Sequence, residues 1–268
     1  MQRKAKCNSD LRLTISNLSL RQPWLLWVES RQSANVRNGW KAELSLLIRS
    51  KVTRFPAFKT QLHLAREALR FFYIQRVRGF DAPTRPHMDL DAVNWLERRL
   101  QRTRLFLEFG SGGSTILANK FAVPSITVES DRFYGAVVRR AMINSDLTTM
   151  VIPKMGITGQ WGMPLFFKRR KGPRYVTAPF ELIDESYPDL ILVDGRYRVA
   201  CTLEAARRAH VMGASAELML DDYDGRLFYH VLENYLGSPR RIGRAAVFAI
   251  GKTPIQEDTV RTFLTDPR

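Results

Sequence analysis

The rhythm of apolar positions changes along the chain. Up to about residue 58 the apolar clusters are short (LSLRQPWLLWV, ELSLLI), broken by Pro, Asn and Gly, and they keep no firm period. From Thr60 to Val77 the spacing turns helical. Leu62, Ala65, Leu69 and Phe72 recur at i, i+3, i+7 and i+10, with Arg66, Arg70, Arg76 and Arg78 interleaved. That predicts a basic amphipathic helix, suited either to a membrane surface or to packing its apolar side on the rest of the protein. DAPTRP (81–86) predicts a linker. Beyond it, short apolar runs alternate with helical stretches. Strands are predicted at 104–109, 125–130, 148–153, 189–195 and 217–223. Helices are predicted from Asp89 or Asp91 to Leu100, after residue 114, and over 132–144, 199–211 and 226–236. RRIGR and AAVFAI, around 240–250, read as a closing hairpin. Such alternation predicts an α/β fold, doubly wound around a mostly parallel sheet. The chain thus divides into a basic, mostly helical extension (1–85) and an α/β domain (86–268) interrupted by a long irregular insertion at 154–187.

The first of these strands runs into an unusual loop. LFLEFGSGGST (105–115) is an apolar run, one carboxylate, and then Gly110, Gly112 and Gly113 within four positions. A buried parallel strand, a glycine turn and a helix make a nucleotide-binding layout, because glycine lets a ligand approach the main chain where a helix N-terminus begins. The dinucleotide fingerprint G-x-G-x-x-G fits at Gly110 and Gly112 but meets Thr115 at its third glycine, which disfavours a nicotinamide-dependent oxidoreductase.

Acidic residues close the other strands as well. Glu129 ends the second strand 19 residues after Gly110, where doubly wound folds hold ribose hydroxyls; Asp194 ends the fourth and Asp221-Asp222 the fifth. Ligands of open parallel sheets bind outside these carboxyl ends, so the four acidic positions converge on one edge. Singly, each is also a common helix cap.

The set EFGSGG, VESD, DLILVDGR and LMLDDY resembles a class I S-adenosylmethionine-dependent methyltransferase domain over residues 88–250. The resemblance implies a seven-stranded Rossmann-like sheet with an antiparallel last strand. It also implies S-adenosyl-L-methionine as cofactor. Glu108, Gly110 and Gly112 would border its methionine end, with Ser111 and Gly113 beside them, and Glu129 with Ser130 would hold the ribose. Asp194 would lie by the methionine amino group or the acceptor. Asp194, Asp221 and Asp222 are the candidate catalytic bases, while His210, late in a helix, reads as structural. Trp161, Arg196, Arg198 and Tyr223 are candidate acceptor-binding residues. Metal-dependent catechol-type O-methyltransferases carry Asp after strand four and Asp-Asn after strand five around Mg²⁺; here Asp222 replaces the Asn, so the same trio is a candidate Mg²⁺ site. Strand four lacks the Asn/Asp-Pro-Pro-aromatic motif of many amino-methylases, and Cys201, in VACTL, is no cytosine nucleophile.

Charge refines the partners. The net charge is +16. Residues 1–104 hold 21 Lys and Arg against 8 Asp and Glu, whereas 105–268 hold 21 against 18. A basic front attracts an anionic surface, acidic lipid or nucleic acid, and the insertion adds four cations at 168–171. Two cysteines make no disulfide framework, which points to a reducing compartment. No apolar run reaches the roughly 18 residues of a membrane span, and the start lacks a secretory h-region. The reading is a cytoplasmic enzyme, peripheral at the inner membrane surface if its basic front meets lipid, that O-methylates a small molecule or glycan. Several proteins of this look serve surface-polysaccharide synthesis. The alternatives are an RNA-directed methyltransferase gripping phosphates with its front and a non-catalytic adaptor on a cofactor fold.

Overall fold

The computed structural model describes residues 58–165 and 171–267, with side chains from residue 66 onward apart from that of Lys171. The apolar clusters before residue 58, most of the basic front, and three of the four cations at 168–171 lie outside the described residues.

Seven strands form one sheet. They are β1 (Phe106–Phe109), β2 (Ser125–Val128), β3 (Thr148–Val151), β4 (Leu190–Val193), β5 (Ala216–Leu220), β6 (Arg240–Ile242) and β7 (Ala245–Ile250), in spatial order β3-β2-β1-β4-β5-β7-β6. β1 to β5 are parallel; β7 runs antiparallel between β5 and β6. The chain winds outward from β1 to β3 and returns to β4, so the order reverses between β1 and β4. That reversal opens the crevice in which doubly wound sheets bind ligands.

Side chains alternate across the sheet because a strand has a period of two. Phe106, Leu190, Leu192, Met219 and Val247 share one face, buried with Trp95, Leu96 and Leu100 of helix α2 (Leu90–Leu100) and Ala118 of helix α3 (Gly113–Lys120). Leu107, Phe109, Ile191, Val193, Leu218 and Leu220 share the other, packed with the alanine-rich helix at Arg198–Val211. Fully burying each Leu, Ile or Phe contributes about 1.5–3 kcal/mol, so these two layers fix the register of every strand. The helices between are α4 (Arg132–Ala141), α5 (Lys171–Thr177) and α6 (Arg198–Val211), followed by α7 (Glu233–Leu236) and α8 (Glu257–Phe263).

Four local outcomes differ from the sequence expectations. Helix α1 (Phe58–Tyr73) widens into a π-turn over Ile74–Arg78, which turns Gln75 inward to Asp131 (2.5 Å) and the hydroxyl of Thr158 (3.1 Å). Its apolar stripe does not simply pack inward, for Leu69 remains 71% exposed. Second, DAPTRP, mostly exposed, ends against the domain: a Cβ on Gly113 would lie 1.9 Å from the carbonyl oxygen of Arg85, so the Arg85–Pro86 backbone crosses the N-terminus of α3. Third, 226–236 is mostly a 3-10 helix (Leu227–Leu232) before the short α7. Its buried residues, Tyr229 and Leu232, are three apart, the period of that tighter helix. Last, the insertion is not structureless: it contains a turn at Gln160–Gly162, α5, and a 3-10 helix over Ala178–Leu182. Asp89, rather than Asp91, caps α2 by accepting from Ala92 N–H (2.9 Å), and it also accepts from Arg244 N–H (2.9 Å) in the β6–β7 turn.

Candidate functional site

The crevice at the carboxyl ends of β1, β2, β4 and β5 is assembled by close backbone approach. Gly110 has φ +102°, and a Cβ there would sit 2.7 Å from the backbone of Gly195, so only glycine lets the ends of β1 and β4 touch. Gly113 admits the Arg85 backbone in the same way. Gly112 is different: a Cβ there would meet only the hydroxyl of Tyr134, at 3.7 Å. Of the three glycines, Gly112 is therefore the one that looks into open space. Its N–H donates to Thr115 (2.9 Å), which sets the first turn of α3.

Glu108 lies beneath this loop. It shares the α3-side face with Phe106, is fully buried, and stands in register with Thr127 of β2. The hydroxyls of Ser114, Thr115 and Thr127 all donate to its carboxyl. Burial pushes its pKa up to about 8 despite those donors. The side chain thus fastens the glycine loop from below and does not reach the crevice surface. Because the unfolded carboxyl titrates near 4.5, the folded protein keeps a proton the unfolded chain has lost throughout pH 5–8. Stability should therefore fall as pH rises through that window, by up to about 1.4 kcal/mol per pH unit. Glu108→Gln should flatten the decline, read as melting temperature against pH; an unchanged slope would contradict the buried acid.

Glu129, also buried, closes the crevice on the β2 side. One carboxylate oxygen accepts from the N–H (3.2 Å) and hydroxyl (2.7 Å) of Ser111, the other from Asp131 N–H (2.7 Å) and Ser130 (3.3 Å). Burial raises its pKa. Gly162 (φ +69°) comes so close that a Cβ would strike the Ser130 hydroxyl, seating the 159–163 turn on the end of β2. That turn holds Trp161, itself in the left-handed region (φ 57°) and 67% exposed, beside His87 with ring centroids 5.9 Å apart.

Three aspartates and three arginines interlock across the ends of β4 and β5. Oxygens of Asp194, Asp221 and Asp222 all lie within 4.8 Å of one another. Arg198, almost fully buried at the start of α6, pairs with Asp194 (2.8 Å) and Asp222 (3.4 Å). It also donates to the backbone carbonyls of Asp194 (3.1 Å), Gly195 (3.1 Å) and Asp221 (2.8 Å). Arg244 pairs with Asp221 and Asp222, both at 3.3 Å, and Arg226 with Asp222 at 2.5 Å. Asp222 sits in the left-handed region (φ 58°), as does Tyr197 (φ 55°), a strain typical of functional edges. Asp194 is 27% exposed, and burial together with the charges of Asp221 and Asp222 lifts its pKa to about 6 against the pull of Arg198. Asp221 is raised too, by burial first and Asp222 second.

This donor set does not fit Mg²⁺. Three carboxylates face three guanidiniums, so charge is already balanced, and a hard cation would have to displace arginines from the oxygens it needs.

The other sequence candidates separate. Arg198 is spent on tying strand ends together. Tyr223 is fully buried, donates to Glu233 (2.7 Å) and stacks on His230 with centroids 4.7 Å apart, so it belongs to the core. Arg196 lies at the crevice edge, two residues past Asp194. His210 sits at the far end of α6, its Nδ1 3.1 Å from the carbonyl of Gly251. Sequence reasoning missed Tyr134 and Arg244. Tyr134 has its pKa pushed up to about 12 by burial and by Glu129, Glu108 and Asp194, so it stands among the site's acids. Its signal was an aromatic in the first turn of the helix that follows Glu129. Arg244 had no local signal, since only the folded hairpin brings it to Asp221.

A crystal structure of a methyltransferase-like protein from Silicibacter pomeroyi shares this arrangement of elements at 31% sequence identity, with a TM-score of 0.61; the match spans 69% of this chain and 99% of that one. The chain belongs to the class I methyltransferase family. Two further solved methyltransferases are more distant. One is a Podospora anserina methyltransferase bound to S-adenosylhomocysteine (14% identity, TM-score 0.34, 88% of this chain and 84% of that one). The other is an O-methyltransferase family protein from Burkholderia thailandensis (10%, 0.36, 81% and 70%). Both likenesses are too slight to carry an argument about this methyltransferase. No family model and no curated protein matches it. Among its described residues no helix is long and apolar enough to cross a membrane.

Proposed function

We propose that this methyltransferase moves a methyl group from S-adenosylmethionine to a hydroxyl of a small-molecule or saccharide acceptor. The observation that carries the reading is Asp194: a partly exposed carboxyl, lifted toward neutrality, at the end of β4 beside the glycine loop. The cofactor fits what the crevice offers. Gly112 leaves space before Tyr134, and Glu129 presents a buried carboxylate that can exchange its Ser111 partner for ribose hydroxyls. S-adenosylmethionine supplies an electrophilic methyl on a good leaving group, so the protein has only to align the acceptor and accept its proton. Asp194 takes that proton. Arg198, held by three backbone carbonyls, fixes the Asp194 carboxyl in place. Trp161, exposed above the end of β2 next to His87, offers an aromatic surface against which a sugar ring can lie.

Glu129→Ala should weaken S-adenosylhomocysteine binding by about 1–3 kcal/mol, the cost of unpairing ribose hydroxyls, measured by calorimetry; unchanged affinity would remove Glu129 from the cofactor site. The acceptor class is tested by incubating the enzyme with S-adenosylmethionine and separate panels of hydroxylated small molecules, oligosaccharides and RNA, and following S-adenosylhomocysteine release. Release with the first or second panel supports the reading; release with RNA alone overturns it in favour of an RNA-directed enzyme.

A further inference from the structure

Four arginines gather at the ends of β4 and β5, and one of them is unlike the rest. Arg198, Arg226 and Arg244 each form ion pairs with the aspartates. Arg196 forms none with any described residue, and its Nε is buried without a hydrogen-bond partner. Its backbone, by contrast, is fixed on both sides: the N–H donates to the Tyr175 hydroxyl (3.3 Å) and the carbonyl accepts from Cys201 Sγ (3.3 Å). The guanidinium is therefore held at the crevice edge by its main chain, partly buried and with its Nε–H unused.

Charge makes the anomaly sharper. The three aspartates are matched by the three paired arginines, which leaves Arg196 as the surplus positive charge. Burial, and then the neighbouring charge of Arg198, lower its pKa, and Asp194 is near enough to oppose them without pairing. Leaving a guanidinium partly desolvated and unpaired is costly, since buried charges are ordinarily matched by a counter-charge and hydrogen bonds. A planar fork of N–H donors is the group that best takes a carboxylate, phosphate or sulfate through two hydrogen bonds.

We propose that Arg196 seats an anionic group of the methyl acceptor, a carboxylate, phosphate or sulfate, beside the hydroxyl to be methylated. The proposal rests on the methyltransferase reading above and narrows its acceptor to an acidic one. Asp194 and Arg196 leave the same strand two residues apart, so one molecule can present its hydroxyl to the first and its anion to the second. A neutral acceptor would leave the arginine as unmatched as it is now, and would bind less well for that reason.

Full-length protein in buffer free of phosphate and sulfate tests this. Arg196→Met keeps the unbranched stem and removes the unmatched charge, so it should melt at or above the temperature of the wild type. Inorganic phosphate, sulfate and acetate are then titrated separately, with and without S-adenosylhomocysteine. At least one should raise the wild-type melting temperature and act at least about tenfold more weakly on Arg196→Met, with Arg196→Lys recovering part of the effect. Whichever anion acts identifies the acceptor's group as phosphate-like or carboxylate. S-adenosylhomocysteine should bind wild type and Arg196→Met within about twofold. The proposal is overturned if no anion distinguishes the two proteins, or if Arg196→Met melts well below wild type, which would make the arginine structural. It is also overturned if Arg196→Met loses S-adenosylhomocysteine affinity, which would assign the arginine to the cofactor's own carboxylate. Failure of wild type to bind S-adenosylhomocysteine at all would strike at the methyltransferase reading instead, and the anion titrations without it would still report on Arg196.

Discussion

Asparagine in place of Asp194 should lower turnover about 10²-fold or more, the usual scale for losing a general base, while S-adenosylhomocysteine still binds. The pH profile of the wild type carries the same claim. Asp194 accepts a proton only as a carboxylate, and its pKa lies at about 6, so turnover should climb as pH rises through that value and then level off. The inflection belongs to the coupled set of Asp194, Asp221 and Asp222 rather than to one carboxyl. Chelators should leave the rate unchanged, because arginines already occupy the oxygens a cation would need. An Asp194→Asn enzyme with full turnover, or a rate abolished by chelation and restored by Mg²⁺, would refute this assignment.

Arg198→Ala should cost about 3–5 kcal/mol of folding stability, the range for removing one partner from a buried charge network. Arg198 satisfies three carbonyls and two carboxylates at once, so its loss leaves the three carbonyls unpaired and Asp194 without its counter-charge, while Asp222 keeps Arg226 and Arg244. Arg198→Lys should recover little, since an ammonium lacks the planar fork that reaches all five acceptors. Denaturant unfolding monitored by circular dichroism measures both. A loss for Arg198→Ala below about 1 kcal/mol would mean the strand ends hold together without it.

Much of the fold was legible because a doubly wound sheet writes itself into sequence as alternation. Runs such as LILV are apolar at every position because both faces of the strand are covered, and the hairpin at 240–250 was marked by Gly243 between two β-rich runs. The place of Glu129 at the end of β2, beside the glycine loop, was legible by its distance from Gly110. What the residues of one segment cannot show is which distant segment will meet them. Gly113 reads as part of a ligand loop, yet its missing side chain admits the backbone of Arg85. Glu108 reads as a residue beside the cofactor, but its place in a period of two turns it under α3, where three hydroxyls claim it. Arg198 and Tyr223 look available when adjacent residues are read in order; the fold spends one on carbonyls and the other on the core. Arg196 and Arg198 separate only when the partners of Arg198 are in view, since the two lie two residues apart after the same strand.

The most direct measurement is calorimetric titration of the wild-type protein with S-adenosylhomocysteine, with NAD as a control ligand. The account predicts saturable binding of one S-adenosylhomocysteine per chain and no heat from NAD. No heat and no melting shift with S-adenosylhomocysteine at millimolar concentration, or tighter binding of NAD, would contradict it.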